Sequence, residues 1–101
     1  MQEIKNGIAL LDKKRPGWCE KIDLEILDLG STFTCVLGQL YKEDFNALSY
    51  RTQFLHGTPF GLGVSRLKLE NASDYGFDSS AHNSYGRLET GWKRAIKGHC
   101  G

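Results

Sequence analysis

Residues 56–68 read HGTPFGLGVSRLK, and the architecture of the chain turns on whether this stretch coils or bends. Three glycines and a proline interrupt its apolar positions, which leaves little helical character. The irregularity continues to His82. Only Val64–Glu70 has the alternation of a strand, and its phase slips between Val64 and Leu67. Residues 56–82 therefore read as a long glycine-rich insert with room for one short hairpin. A loop of this length in a small domain is usually functional or mobile.

Outward from the insert the pattern is helical. Ile4, Ile8 and Leu11 fall at i, i+4 and i+7, which predicts a helix over 2–14 stopped by Pro16-Gly17. Phe33, Val36, Leu37, Leu40 and Tyr41 predict a second over 31–42, with Ser31 or Thr32 as its cap. Asp44 opens a third, short one over 44–50. Tyr85, Leu88, Trp92 and Ile96 define the clearest, over 84–97, with basic residues at its C-terminal end and Gly98 terminating it. Residues 22–29 are ambiguous. Ile22, Leu24 and Ile26 alternate like a strand, while Asp23 with Leu24 and Leu27 fits a helical turn, the preferred reading. The expected fold is mainly α, one small single-domain helical unit over 1–101 carrying the insert.

Composition narrows the function classes. Thirteen Lys and Arg face twelve Asp and Glu, so the net charge is +1 and there is no global field for nucleic acid. No apolar run is long enough to span a bilayer, and the N-terminus lacks the features of a signal peptide. A cytoplasmic protein with no membrane partner is expected. Cys19, Cys35 and Cys100 are odd in number and irregular in spacing, which predicts free, reduced and dispensable thiols.

The run GWCEKIDLEILDLGSTFTCVLGQLY, followed by YGFD and TGWKRAI, resembles a group of small uncharacterised proteins of actinobacteria and their bacteriophages. The resemblance covers most of the chain outside the insert. Some of those proteins carry a second cysteine three residues before the position of Cys35, where this chain has Thr32. A CxxC chemistry would be half lost here. The resemblance implies a phage accessory setting, such as counter-defence or host takeover, and no particular reaction.

The candidate site is the insert itself. Gly61-Leu62-Gly63 lacks the third glycine of a dinucleotide fingerprint and the GK[ST] ending of a P-loop. Glycines can still turn successive amides towards one anion. Ser65, Arg66 and Lys68 would add donors, Arg66 as a fork. His56, Phe60 and Tyr75 would offer stacking faces, and Thr58 completes the set. The competing reading is a plain surface loop with solvated charges. No catalytic or metal-binding group is expected. Cys35 near a helix start has no identifiable base, and no CxxC or HxxxH spacing exists. Lys93, Arg94 and Lys97, with Lys13, Lys14 and Arg15, could grip phosphates, but helix-end complementation explains the first three.

The sequence thus points to a non-enzymatic binding protein without a cofactor, forming a homo-oligomer and sequestering a small anionic ligand such as a nucleotide signal. The alternatives are an inhibitor that covers a host protein through an apolar patch, or a small nucleic-acid-binding protein.

Overall fold

The computed structural model describes residues 1–100. Among them there are five α-helices, two 3-10 turns and no strand. The first helix, α1 (Gln2–Lys14), lies where its apolar stripe predicts, with Ile4 and Leu11 buried. Gly17, at φ +83°, turns the chain after it. A 3-10 turn (Trp18–Lys21) then drops Trp18 into the core, 2% exposed.

Residues 22–35 are neither strand nor helix. A hydrogen-bonded turn at 24–26 is their only regular feature before the turns at 29–34. Ile22, Leu27 and Leu29 are buried from this irregular path. Gln39 pins it: its amide donates to the carbonyls of Thr34 (2.9 Å) and Asp23 (3.1 Å), and its Oε1 accepts from the Asp23 amide (2.7 Å).

Helix α2 spans Val36–Asn46, shifted from the expected 31–42. Ser31 does accept backbone amides, but those of Phe33 and Thr34, which closes a separate turn. The helix cap is Cys35, whose Sγ accepts from the Gly38 amide at 3.3 Å. Phe33, expected on the apolar face, lies in the preceding turn and is 52% exposed. The expected break before Asp44 is absent as well. Asp44 sits inside α2, where Arg15 reaches it at 3.2 Å.

The next helix, α3 (Tyr50–His56), begins where 44–50 was expected to end, and Ser49 caps it. Helix α4 (Pro59–Leu67) replaces the first part of the predicted irregular insert. Thr58 is its N-cap and Pro59 sits in its first turn, where the missing N–H costs nothing. Lys68, at φ +56°, ends it. The strand reading of 64–70 is therefore wrong. The helix forms despite two glycines because packing outweighs propensity. α4 lies along α2, and a Cβ on Gly63 would come within 2.8 Å of the Tyr41 ring.

A second 3-10 turn (Ala72–Tyr75) packs on α1, and the last helix, α5 (Tyr85–Cys100), closes the core. Trp92 is fully buried, stacks on Phe77 at 5.5 Å, meets Trp18 edge-on at 6.1 Å and donates to the Gly76 carbonyl at 2.7 Å. α5 runs through Gly98, expected as its end, because that residue does not adopt the left-handed conformation of a terminating glycine.

The extension carries Cys100 to Cys19. The two are disulfide-bonded, with Cα atoms 5.9 Å apart, which overturns the expectation of three free thiols. The odd count concealed one pair and one buried free cysteine, Cys35. Beside the bond, Asp12 accepts from Trp18 Nε1 at 2.8 Å and meets His99 Nε2 at 3.0 Å. His99 also stacks on Trp18 at 6.4 Å. The end of α5 is thus fastened to the first 3-10 turn covalently and by ring contact, and to α1 through the His99–Asp12 contact.

Candidate functional site

The nine residues assigned to an anion site are dispersed over the α3–α4 corner and beyond it. His56 ends α3 and its carbonyl lies against Gly61. Thr58, Gly61, Gly63, Ser65 and Arg66 are on or at the start of α4, and Lys68 ends it. Tyr75 belongs to the second 3-10 turn, against α1, where it stacks on Phe77 at 6.4 Å. The structure brings His56, Thr58 and Gly61 together. It places Tyr75 on a different element.

Amides are what a phosphate would need from this corner, and the first ones of α4 are already engaged. The Phe60 amide donates to the Thr32 carbonyl (3.1 Å), that of Gly61 to Thr58 Oγ1 (3.0 Å) and that of Leu62 to the Thr58 carbonyl (3.0 Å). Gly63 is buried against Tyr41 and Leu37. Phe60 is half-buried and joins Cys35, Phe77 and Tyr85 around a void of about 30 Å³, a size for at most a single water. Ser65 and Arg66 remain exposed to solvent.

Cys35 is held as a thiol. Burial pushes its pKa up to about 11, against a smaller opposing pull from the Gly38 amide. Its chemistry is that of a helix cap and a core residue. Of the basic residues near the end of α1, Arg15 is engaged within the fold. It pairs with Asp44, donates to the Leu40 carbonyl at 3.0 Å and lies 4.6 Å over the Tyr41 ring.

The surface that stands out is one the sequence reasoning passed over. α3 has no buried residue. Tyr50 is 87% exposed, Phe54 82% and Leu55 76%. Positions 50 and 54 are one helical turn apart and share a face, while Leu55 lies about 100° further round the exposed side of the helix. Tyr50 and Phe54 also flank a shallow hollow of about 190 Å³ with Phe45, Gln53 and Gly57. The charged or titratable groups of the helix besides Tyr50 are Arg51 and His56, with no carboxylate. The signal was present in SYRTQFLH: a serine cap ahead of an i, i+4, i+5 apolar set. Reading the helix as 44–50 cut that set in two.

Among the described residues no helix is long and apolar enough to cross a membrane. Comparison of the chain with protein-family models, curated proteins and solved structures returned no match.

Proposed function

We propose that the chain is a non-enzymatic binding protein that docks a partner protein on the outer face of α3. One observation carries the reading: Tyr50, Phe54 and Leu55, on a single helix of seven residues, are all more than three-quarters exposed. Large aromatic side chains left in water together are the usual anchors of protein interfaces. Each aromatic can bury roughly 150–250 Å². With Leu55 they would supply a large part of the ~800 Å² per side that a specific complex needs. The charge of the helix states the chemistry of the partner. Arg51 and His56 flank the apolar set with no acidic residue among them, so the complementary surface is an apolar cleft bordered by carboxylates.

The phage accessory setting implied by the resemblance belongs to the same proposal, with a host protein as the partner to be inhibited by occlusion. Sequestration of a small anion on α4 is the weaker reading, because the amides of its first turn are engaged within the chain.

The test is a photo-crosslinking amino acid at position 54, with position 82, exposed and on another element, as control. Crosslinks from 54 alone, mapping to an apolar, acid-rimmed cleft of another protein and lost on Leu55→Ser, support the proposal. Crosslinks from 54 only to a second copy of this chain would replace it with self-association. Crosslinks equal at both positions would end it.

A further inference from the structure

A second surface, on α1 and α5, has a different character. The two helices enclose a groove of about 480 Å³, within the size range of small-ligand pockets. Its floor is aliphatic, built by Met1, Ile4, Ile8 and Ala95. Gly91 lets α1 come close enough to form it, since a Cβ there would lie 2.6 Å from Ile4 Cδ1. Its rim is cationic: Lys5 from α1, Arg87 and Arg94 from α5. No Asp or Glu lines it.

Among the described residues these three cations form no ion pair. The ion pairs among the described residues are Arg15–Asp44 and Lys93–Glu89, beside a His99–Asp12 contact, and none involves the rim. The nearest acid along α1, Glu3, is turned away to Asn83, whose Nδ2 donates to it at 2.6 Å. A chain with a net charge of +1 has therefore gathered three uncompensated cations around one apolar trough. Beyond Arg94 a second hollow adds Lys93 and Lys97.

The geometry points to a binding site for a free amphiphilic anion: one molecule with an aliphatic body along the floor and a phosphate or carboxylate held by Arg87, Arg94 and Lys5. Each part of the occupant follows from a part of the groove. The floor offers apolar contact and no aromatic side chain, so it suits an aliphatic body and gives a nucleobase nothing to stack on. Two arginines supply forked donors that match phosphate or carboxylate oxygens. A membrane surface is a poorer match. Bilayer binding uses several apolar side chains that protrude past the charges, whereas here Ile4, Ile8 and Ala95 are recessed between two helices and Met1 alone is exposed beside the cations. This site is independent of the α3 surface and survives its failure.

Decyl phosphate below its micellar concentration is the probe, titrated calorimetrically into the full chain, with decanol and inorganic phosphate as halves of the ligand. Saturable one-to-one binding of decyl phosphate, at least tenfold tighter than either half, is expected. Arg94→Gln should weaken it about tenfold or more, as loss of a hydrogen bond to a charged group does. Thr90→Trp, which fills the groove from an exposed position, should abolish binding with an unchanged melting temperature. Binding no tighter than that of the halves overturns the inference, and so does binding indifferent to both substitutions. Sedimentation with vesicles of phosphatidylglycerol separates the sources. Vesicle binding that Arg94→Gln weakens, without binding of dispersed decyl phosphate, would make this a membrane surface and overturn the free ligand.

Discussion

Helices α3 and α4 are neighbours in sequence, separated by Gly57 and Thr58, and each is capped by a hydroxyl: Ser49 to the Thr52 amide, Thr58 to the Gly61 amide. They have opposite fates. α4, PFGLGVSRL, carries two glycines and yet buries Pro59, Leu62 and Gly63 against the rest of the fold. α3, YRTQFLH, has no glycine and three large apolar residues, and buries nothing. A glycine inside a helix costs about 1 kcal/mol of propensity relative to alanine. At position 63 it removes the Cβ that would strike Tyr41 and Leu37, and this close approach to α2 outweighs the cost. Apolar content does not decide burial; fit to a neighbouring helix does.

The most severe test of that contrast is the removal of Leu62, which is fully buried. Leu62→Ala should destabilise by roughly 2–5 kcal/mol, from lost transfer energy and the cavity left behind. Urea unfolding followed by tryptophan fluorescence would measure it. A cost under about 1 kcal/mol would mean that α4 is loosely held, and the contrast with α3 would lose its basis.

Gly63→Ala comes next. The added methyl would sit 2.8 Å from Tyr41 Cδ2 and 3.2 Å from Leu37 Cβ, so α4 must back away from α2. Overpacking of this kind costs roughly 1–3 kcal/mol, against which the better helix propensity of alanine is small. A stabilised Gly63→Ala protein in the same urea assay would show that the close approach is not needed.

The caps sharpen the comparison further. Thr58→Ala should cost about 1 kcal/mol of global stability, because α4 unfolds with the core. Ser49→Ala should fray α3 with little effect on the global transition, since that helix has no buried residue. Hydrogen exchange resolved by residue distinguishes local fraying from global loss. Equal global costs for the two caps would show α3 to be as integral as α4.

The sequence made α1 and α5 legible because each buries one apolar stripe of regular period: Ile4 and Leu11 in the first, Leu88, Trp92 and Ile96 in the last. Where residues reach the core from irregular backbone, as Ile22, Leu27 and Leu29 do, no period exists to read. α4 was missed because its start signal, Thr58-Pro59, was outweighed by glycines whose purpose depends on Tyr41, a residue on another helix. The Cys19–Cys100 bond was hidden for a related reason. Its partners are 81 positions apart and meet only after α5 has folded back on α1. Of the candidate anion residues, the sequence grouped Tyr75 with the glycine-rich stretch by composition, while the fold puts it in a 3-10 turn that packs on α1. The rim of the α1–α5 groove was half visible in the Lys93, Arg94 and Lys97 cluster; Lys5 and Arg87 join it only in three dimensions.

Alkaline pH should act on the packed pair and spare the exposed helix. Burial raises the pKa of two groups on or capping α2: the Cys35 thiol, to about 11, and the Tyr41 phenol, the latter against a smaller lowering by Arg15. Both groups are neutral when protonated, and the folded state holds their protons more tightly than the unfolded chain does. The Cys35 contribution is therefore fully present below the ordinary thiol pKa of 9.0 and is lost as pH rises from there through about 11, and that of Tyr41 begins to be lost only above the ordinary phenol value of 10.0. Cys35→Ala should flatten part of that fall, measured as urea midpoints across the range. An unchanged slope would mean that Cys35 is solvated in the folded protein, and the same doubt would extend to its cap on α2.

The smallest expected effect carries the most weight for function. Leu55→Ala is chemically the same substitution as Leu62→Ala, seven residues away, so side-chain transfer energy cannot separate them. Exposure can. Leu55 is 76% exposed in the folded protein and keeps most of its contact with water, so its loss should change stability by no more than about 0.5 kcal/mol. Its value would appear only in a complex, where the same atoms leave water. If Leu55→Ala weakens the partner captured from position 54 without moving the urea midpoint, α3 is a surface held ready for binding. If it costs as much as Leu62→Ala, then α3 folds back onto the core in solution, and Tyr50 and Phe54 are core residues of a different arrangement. Because the two leucines differ in nothing but their surroundings, the ratio of their two costs reads the burial of α3 directly.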